Sequence, residues 1–337
     1  MDPKLLKIIQ LIESKKKSSH PWERQKRFQQ PYYSYETQEK TWKEMSSNSG
    51  TKTARPFPKI SILSWNIDFM LPFTDQRMAV ALKHLESHVT DSSSPTIIML
   101  QEMLVSDLEL IKAQPWVTSA YNITDVDDRH WESGHYGTVT LIPQSLSITS
   151  VFRVHYEQTA MERDGLFVDV DVGNGQTIRI CNTHLESLVA DPPKRPHQLA
   201  TAAEHMHDPA VSGSVLGGDL NAIQPFDRTL HLDNNLQDAY LALGGREDSD
   251  EGYTWGQMAQ VKLRNMFGCS RMDKLYFVGS LRLESFERIG AGVEVEDESI
   301  KESLIKEEGL DAGYVTDHLG VKAEFSIVPV GPSGPKI

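Results

Sequence analysis

Leu216-Gly217-Gly218-Asp219-Leu220-Asn221 is the stretch from which the rest of the sequence is best understood. Small apolar residues over Val211–Leu216 indicate the end of a buried strand. The two glycines allow a tight turn whose backbone approaches a neighbour closely. Asp219 and Asn221 are two positions apart, so in an extended chain both side chains point to one side. Such a pair can hold a water or a metal ion against a phosphate, although it is also common in surface turns.

Polar residues of this kind stand beside five predicted strands. They are Asn66 with Asp68, Glu102, His184, Asp219 with Asn221, and Asp317 with His318. Each alone has an ordinary structural explanation, such as a surface turn or a hydrogen-bonded histidine. Loops at the strand ends of a rigid sandwich, however, are where catalytic groups are usually placed. Because five such positions are difficult to explain individually, we expect them to form one site.

The composition is that of a globular protein with room for one large domain or two modest ones in 337 residues. The sequence contains no run of about 18 apolar residues, so no transmembrane helix is expected. The N-terminus lacks a signal-peptide pattern. Cys181 and Cys269 lie far apart and form neither a disulfide framework nor a zinc motif. This favours a reducing intracellular compartment, nucleus or cytoplasm, over secretion.

Charge is distributed unevenly along the chain. Residues 1–58 carry a net charge of +6, whereas the whole chain carries −13, so residues 59–337 carry −19. An acidic body binds nucleic acid poorly, but a divalent cation in an acidic cleft reverses the local sign. The sequence of residues 1–18 predicts an amphipathic helix. Residues 19–58 are polar, and their apolar residues do not recur at a sustained helix or strand spacing. We expect residues 1–58 to be a basic extension and linker outside the core, removable up to residue 55 without unfolding the rest.

The folded domain is expected over residues 59–328, followed by a tail at 329–337. Its sequence predicts many strands, several in hairpin pairs, with helices over 75–89, 196–206 and 236–243. The acidic residues 291–311 predict a long surface loop. The expected fold class is α+β, a four-layer α/β/β/α sandwich in which two mixed sheets pack face to face with helices outside.

Six motifs resemble those of the endonuclease/exonuclease/phosphatase superfamily of DNase I and exonuclease III. They are SWNID (64–68), LQE (100–102), NTHLES (182–187), GGDLN (217–221), RMDKLYF (271–277) and TDHLG (316–320). Within the superfamily, the combination of WNID, THLES and YTW is most similar to tyrosyl-DNA phosphodiesterases. The resemblance implies a hydrolase that uses Mg²⁺ or Mn²⁺ and cleaves the bond between a topoisomerase 2 tyrosine and a DNA 5′ phosphate, in DNA repair.

The same resemblance implies a role for each motif residue. The implied metal ligands are Glu102, Asp68 and Asp317. The implied catalytic residues are Asp219, which would activate the attacking water, Asn221, Asn66, His318, which would stabilise developing negative charge, and Asp273, which would orient that histidine. The implied substrate-binding residues are His184, Ser187, Tyr136 and Trp255, the last by stacking on the DNA end.

Two positions depart from the tyrosyl-DNA phosphodiesterase pattern. Phe69 stands where those enzymes have Gly, and Ile223 stands where they have Arg. One alternative is a relative of the same fold that acts on another nucleic-acid end or on a phosphoinositide. Another is a non-catalytic scaffold of the same fold. The expected partners are a DNA 5′ end or another phosphodiester, and a topoisomerase 2-derived peptide; we expect no membrane association and a monomer.

Overall fold

A computed structural model describes residues 10, 14, 17, 19–46, 56–90 and 94–329. Its strands are β1 Arg27–Gln29, β2 Tyr32–Glu36, β3 Thr41–Met45, β4 Lys59–Asn66, β5 Thr96–Met103, β6 Tyr121–Ile123, β7 Gly137–Pro143, β8 Ser147–His155, β9 Asp164–Gly173, β10 Gln176–Thr183, β11 Gly213–Asp219, β12 Gln237–Asp238, β13 Asp273–Gly279, β14 Leu281–Ile289 and β15 Gly320–Ile327. Its helices are α1 Thr74–Thr90, α2 Val105–Ala113, α3 Pro115–Ala120, α4 Arg195–Met206, α5 Leu230–Asp233, α6 Ala239–Ala242, α7 Val261–Phe267 and α8 Glu298–Lys306. None of these helices is long and apolar enough to cross a membrane.

The strands form two mixed sheets. The seven-stranded sheet has the order β1-β8-β9-β10-β11-β13-β12, and the eight-stranded sheet has the order β14-β15-β4-β5-β7-β6-β2-β3. Strand β4 shows how the sheets stack. Ile60 and Ile62 belong to the core between the sheets, whereas Leu63 and Trp65 belong to the core under the helices. This period of two buries both faces of the strand and confirms the predicted sandwich.

Strand register brings the predicted site residues to one end of the sandwich. Strands β4 and β5 are parallel, with Asn66 opposite Gln101. Strands β10 and β11 are also parallel and end together. Strand β13 runs antiparallel to β11, so that Asp273 at its start lies opposite Asp219. Because His318 lies two residues before the strand β15, which runs antiparallel to β4, it reaches the same end.

The expectation that residues 19–58 lie outside the core is wrong for residues 19–46, which we call the N-terminal segment. Its strand β1 pairs with β8 in one sheet, and β2 pairs with β6 and β3 in the other. Trp22 and Tyr33 are buried. The average composition of the region conceals short strands, of which β1 and β2 have partners about 90 or more residues away, a separation that local pattern analysis cannot detect. The helix predicted over residues 1–18 falls largely outside the described residues, as does the tail from residue 330.

The acidic stretch 291–311 is not a long loop as expected, because helix α8 occupies its middle. Asp297 caps this helix by accepting hydrogen bonds from Ser299 N at 2.8 Å and Ile300 N at 3.2 Å. Ile300 and Leu304 are one turn apart and pack on the core. The predicted helices at 75–89 and 196–206 are confirmed as α1 and α4, whereas 236–243 contains only β12 and the short α6.

Candidate active site

Three polar side chains, those of Asn66, His184 and His318, converge on one carboxylate, that of Asp219. Asn66 donates its Nδ2–H to Asp219 Oδ2 at 3.1 Å and lies 3.3 Å from Glu102 Oε1. His184 Nε2 is 3.3 Å from Asp219 Oδ2 and 3.8 Å from Glu102 Oε1. His318 Nε2 is 3.7 Å from Asp219 Oδ2. Four of the five strand-end positions predicted from the sequence therefore meet directly around one oxygen atom.

Three residues of this site have a backbone conformation that side chains rarely adopt. The φ angles of Asp68, Glu102 and Asn221 are +52°, +61° and +48°. Beside them, a Cβ atom on Gly218 would lie 1.7 Å from the carbonyl oxygen of Thr183, so only glycine fits. Residues held in the left-handed region cluster at functional sites, where the surrounding structure stabilises the strain.

His318 and Asp273 form a buried ion pair next to Asp219. His318 Nδ1 lies 2.8 Å from Asp273 Oδ2, and Asp273 is fully buried. Burial alone would lower the pKa of His318, but the carboxylates of Asp273, Asp317 and Asp219 raise it well above its ordinary value. Burial would likewise raise the pKa of Asp219, but His318 and His184 lower it below its ordinary range. At neutral pH the site thus contains an imidazolium and an ionised Asp219.

His184 has the opposite protonation state. Arg163 donates from Nη1 to His184 Nδ1 at 2.7 Å, which leaves the ring proton on Nε2, facing Asp219. Burial and the Arg163 charge lower the pKa of His184 to about 4. The ring is therefore a neutral donor whose tautomer and orientation depend on Arg163.

The remaining carboxylates of the site repel one another. Burial and the charge of Asp68 raise the pKa of Glu102 to about 7, and the same two causes raise the pKa of Asp317 to about 6. Buried carboxylate oxygens that no described lysine or arginine neutralises in an ion pair fit a hard divalent metal ion. Among the described residues, Glu102, His184 and Asp219 have ligand atoms within 4.8 Å of one another. The predicted ligands Asp68 and Asp317 lie outside that group; a Mg²⁺ ion that keeps several waters could still reach them through water.

The other predicted site residues lie around this cluster. Asn221 donates its backbone N–H to Asp219 Oδ1 at 2.8 Å. Trp255 donates its indole N–H to Asp317 Oδ2 at 2.7 Å. The ring of Tyr136 is stacked on Phe69 with a centroid distance of 4.7 Å. Ser187 is half-buried beyond Glu186, and no described hydrogen bond joins its hydroxyl to the cluster.

The model of the "Endonuclease/Exonuclease/phosphatase family" matches residues 63–318, about three quarters of the chain and all of the site described above. The chain belongs to the endonuclease/exonuclease/phosphatase family. It is accordingly a metal-dependent phosphodiesterase with this family's two-sheet fold.

Several similar proteins are tyrosyl-DNA phosphodiesterases 2 (TDP2). The chain is 28% identical to tyrosyl-DNA phosphodiesterase 2 of Xenopus laevis over 289 residues, which are 84% of this chain and 71% of that protein. The structure of D. rerio TDP2 complexed with a single-stranded DNA product has a TM-score of 0.62 and 19% identity, and covers 80% of this chain and 99% of that one. The structure of C. elegans TDP2 has a TM-score of 0.61 and 22% identity, and the match covers 80% of this chain and 75% of that one. The resemblance inferred from the motifs is therefore confirmed.

Within the family fold, sequence analysis missed two arginines. Arg163 orients His184 but belongs to no motif, and its neighbour in space is 21 residues away in the sequence. Arg77 on α1 is buried and donates to five backbone carbonyls, among them Ile67 O at 2.8 Å and Asp68 O at 2.7 Å. It thereby fixes the loop that carries Asp68. Nothing in the local sequence distinguishes either arginine from a surface charge.

Phe69, which departs from the tyrosyl-DNA phosphodiesterase pattern, contacts two of the predicted site residues. Its backbone N–H donates to Glu102 Oε2 at 3.0 Å, and its ring packs on Tyr136. The larger side chain therefore fills space beside Tyr136, while its backbone holds the main predicted metal ligand.

Proposed function

We propose that this phosphodiesterase hydrolyses 5′-phosphotyrosyl DNA, the adduct that topoisomerase 2 leaves on a DNA end, with Mg²⁺ as its cofactor. The similarity to a tyrosyl-DNA phosphodiesterase 2 over 84% of the chain supports this substrate. A DNA 5′ end and a topoisomerase-derived peptide are the corresponding partners. A nuclear or cytoplasmic location and a monomeric state stay predictions.

The observation that carries the proposal is the convergence of three donors on Asp219 Oδ2. Asn66 Nδ2, His184 Nε2 and His318 Nε2 approach this atom to 3.1, 3.3 and 3.7 Å. Donors of this kind, fixed before substrate binds, are suited to the oxygens of a phosphate in its transition state, because they require no reorganisation during the reaction. A carboxylate among them can accept a proton from a water that attacks the phosphorus.

Each side chain then has a defined task. Asp219, kept ionised by the two histidines, orients the attacking water and accepts its proton. The imidazolium of His318, held by Asp273, stabilises the negative charge that develops on the phosphate. Neutral His184 and the amide of Asn66 donate to the phosphate oxygens. Asn221 maintains the turn in which Asp219 lies, by donating to Asp219 Oδ1 and to Leu185 O at 3.1 Å.

Glu102, with Asp68 and Asp317 through water, would hold the metal ion. The raised pKa values of Glu102 and Asp317 support this, because they reflect burial and repulsion by the charge of Asp68. A divalent cation bound there supplies Lewis-acid polarisation of the phosphate oxygens. Ligands made of carboxylate, without a Cys and His cluster, favour Mg²⁺ or Mn²⁺ over Zn²⁺.

Ile223 supports a second candidate substrate within the same chemistry. Its side chain is 38% exposed beyond Asn221, at the position where the resembled enzymes have an Arg. An apolar residue there removes a cation that would bind a DNA phosphate. Another phosphoester, at a different nucleic-acid end or in a phosphoinositide, is therefore the alternative substrate.

A panel of substrates distinguishes these proposals. Turnover is measured with Mg²⁺ on a 5′-tyrosyl oligonucleotide, a 3′-tyrosyl oligonucleotide, an abasic-site duplex and a phosphoinositide. We expect the highest kcat/KM on the 5′-tyrosyl oligonucleotide. Faster turnover of another member of the panel would replace this substrate assignment while leaving the hydrolytic mechanism intact.

A further inference from the structure

The N-terminal segment precedes the residues that the family model matches. The family match begins at residue 63, whereas the segment covers residues 19–46. It extends both sheets at one side of the sandwich, with β1 at the edge of one sheet and β2 and β3 at the edge of the other. A segment that pairs with both sheets can fix their relative position at that side.

Between the two sheet edges lies a buried group of charges, which we call the Arg153 cluster: Arg153, Asp125, Asp164, His155 and Glu132. Arg153 is fully buried and reaches Asp125 Oδ2 at 2.9 Å and Asp164 at 3.1 Å. The N-terminal segment supplies a further partner, because Arg153 Nε donates to Gln30 Oε1 at 2.8 Å. Removal of the segment would leave this donor unpaired in the interior, which is costly.

Arg24 connects the segment to the cluster and to the protein backbone. Its guanidinium is paired with the buried carboxylate of Glu132 and donates to the backbone carbonyl of Tyr156. Beside it, Trp22 stacks on His155 with a centroid distance of 4.1 Å and an interplanar angle of 14°. The forked guanidinium thus holds Glu132 and the start of the 156–163 loop at the same time.

The 156–163 loop leads directly to the active site. Tyr156 N–H donates to Arg163 O at 3.1 Å, which closes the loop. Arg163 then donates to His184 Nδ1 at 2.7 Å, and His184 Nε2 lies 3.3 Å from Asp219. Each step is a direct contact, so Arg24 is two hydrogen bonds from the backbone of Arg163.

We propose that the N-terminal segment is a positioning element of the active site: through Arg24 it fixes the loop from which Arg163 orients His184. This rests on the proposed function in so far as His184 contacts the substrate phosphate. Small displacements of a substrate-binding group are costly to catalysis, because even about 1 Å can lower the rate roughly 10²-fold. We therefore expect loss of Arg24 to impair catalysis as well as stability.

The test compares Arg24→Gln and Arg24→Lys with Lys26→Gln as a matched control in the full-length protein. Lys26 is exposed and pairs only with the exposed Glu23 among the described residues. Two readouts are needed: kcat/KM on the best substrate of the panel above, and the ring ¹⁵N signals of His184 by NMR. The NMR readout does not depend on the substrate, so it decides this proposal even if every substrate assignment fails.

We expect Arg24→Gln to lower kcat/KM about tenfold and to shift the His184 ring signals, with Arg24→Lys intermediate and Lys26→Gln unchanged. Arg24→Lys keeps the positive charge beside Glu132, so it can be used to test the proposal if the Arg24→Gln variant does not fold. The proposal is overturned if both Arg24 variants match Lys26→Gln in kcat/KM and in the His184 signals, even when their melting temperatures fall. In that case the segment would contribute only stability.

Discussion

The active site and the Arg153 cluster contain the same kinds of side chain, but their charges are balanced differently. In the Arg153 cluster each acidic group has a cation: Asp125 and Asp164 pair with Arg153, and Glu132 pairs with Arg24. In the active site the pKa of Glu102 is raised to about 7 and that of Asp317 to about 6, because burial and the charge of Asp68 act on them. Both groups are buried, yet every carboxylate of the Arg153 cluster contacts an arginine, whereas no ion pair between Glu102 and an arginine or lysine is found among the described residues.

The difference teaches how to distinguish a structural charge cluster from a reactive one. A buried ion pair that the protein completes itself contributes structure, and breaking it is costly. Carboxylates left without a protein cation cost stability unless a ligand compensates them, so they mark the place where a cation binds. Residue type alone does not separate the two cases; the partner of each charge does.

Removal of the metal ion should have the largest effect. We expect EDTA to abolish turnover and excess Mg²⁺ or Mn²⁺ to restore it, because Glu102 needs an external cation. The Arg153 cluster needs none, so the chelated protein should remain folded. The measurement is turnover and far-UV circular dichroism before and after chelation. Full activity in EDTA would contradict the metal assignment and the contrast between the two clusters.

The same substitution, Asp to Asn, should affect kcat differently in the two clusters. Asp219→Asn keeps the size of the side chain but removes the proton acceptor, and we expect kcat to fall by at least about 10²-fold. Asp125→Asn, the matched change in the Arg153 cluster, should lower kcat far less when measured well below its melting temperature. If Asp219→Asn stays within a few-fold of wild type on every substrate that wild type cleaves, Asp219 is not the base.

His318 and Asp273 test whether a charge completed by the protein can still serve catalysis. His318→Ala should lower kcat by roughly 10²–10³-fold, the usual effect of removing a donor aimed at developing charge. Asp273→Asn leaves the imidazole but removes its buried partner, so we expect a smaller loss, about tenfold, and a lower pKa of His318. An NMR titration of the His318 ring checks the second point. An unchanged ring titration in Asp273→Asn would show that the 2.8 Å contact does not hold the charge.

Thermal stability should respond in opposite directions in the two clusters. In the metal-free protein, the pKa of Glu102 is about 7 when folded and about 4.5 ordinarily, so the native state binds more protons between these values. Stability therefore falls as pH rises from about 4.5 to 7. We expect Glu102→Gln to raise the melting temperature by a few degrees in EDTA at pH 7.5 and by less at pH 5.

Asp125→Asn should lower the melting temperature at both pH values, because it leaves Arg153 incompletely paired in the interior. The cost of breaking a buried pair is about 3–5 kcal/mol. Differential scanning calorimetry of the two variants in EDTA provides the comparison. A lower melting temperature for Glu102→Gln at pH 7.5 would show that Glu102 is already compensated by the protein.

Sequence alone determined the sandwich, the family and the strand-end residues of the site. Period-two burial and strand-end motifs are local signals. Each of these site residues lies within two residues of a strand end: Asn66, Glu102, His184, Asp219 and His318. Their convergence also follows from the order of the strands, because parallel neighbours end on the same side. The residues that meet at this end of the sandwich were therefore identifiable without coordinates.

Only the tertiary structure decided which charges are compensated. Arg163, Arg77 and Arg24 lack any motif, and their roles depend on partners 21, up to 238, and up to 132 residues away. The N-terminal segment was wrongly placed outside the core for the same reason, since β1 and β2 pair with β8 and β6, about 90 or more residues further on. Local propensity reports what a segment can form, whereas pairing and burial depend on distant residues that only the folded chain brings together.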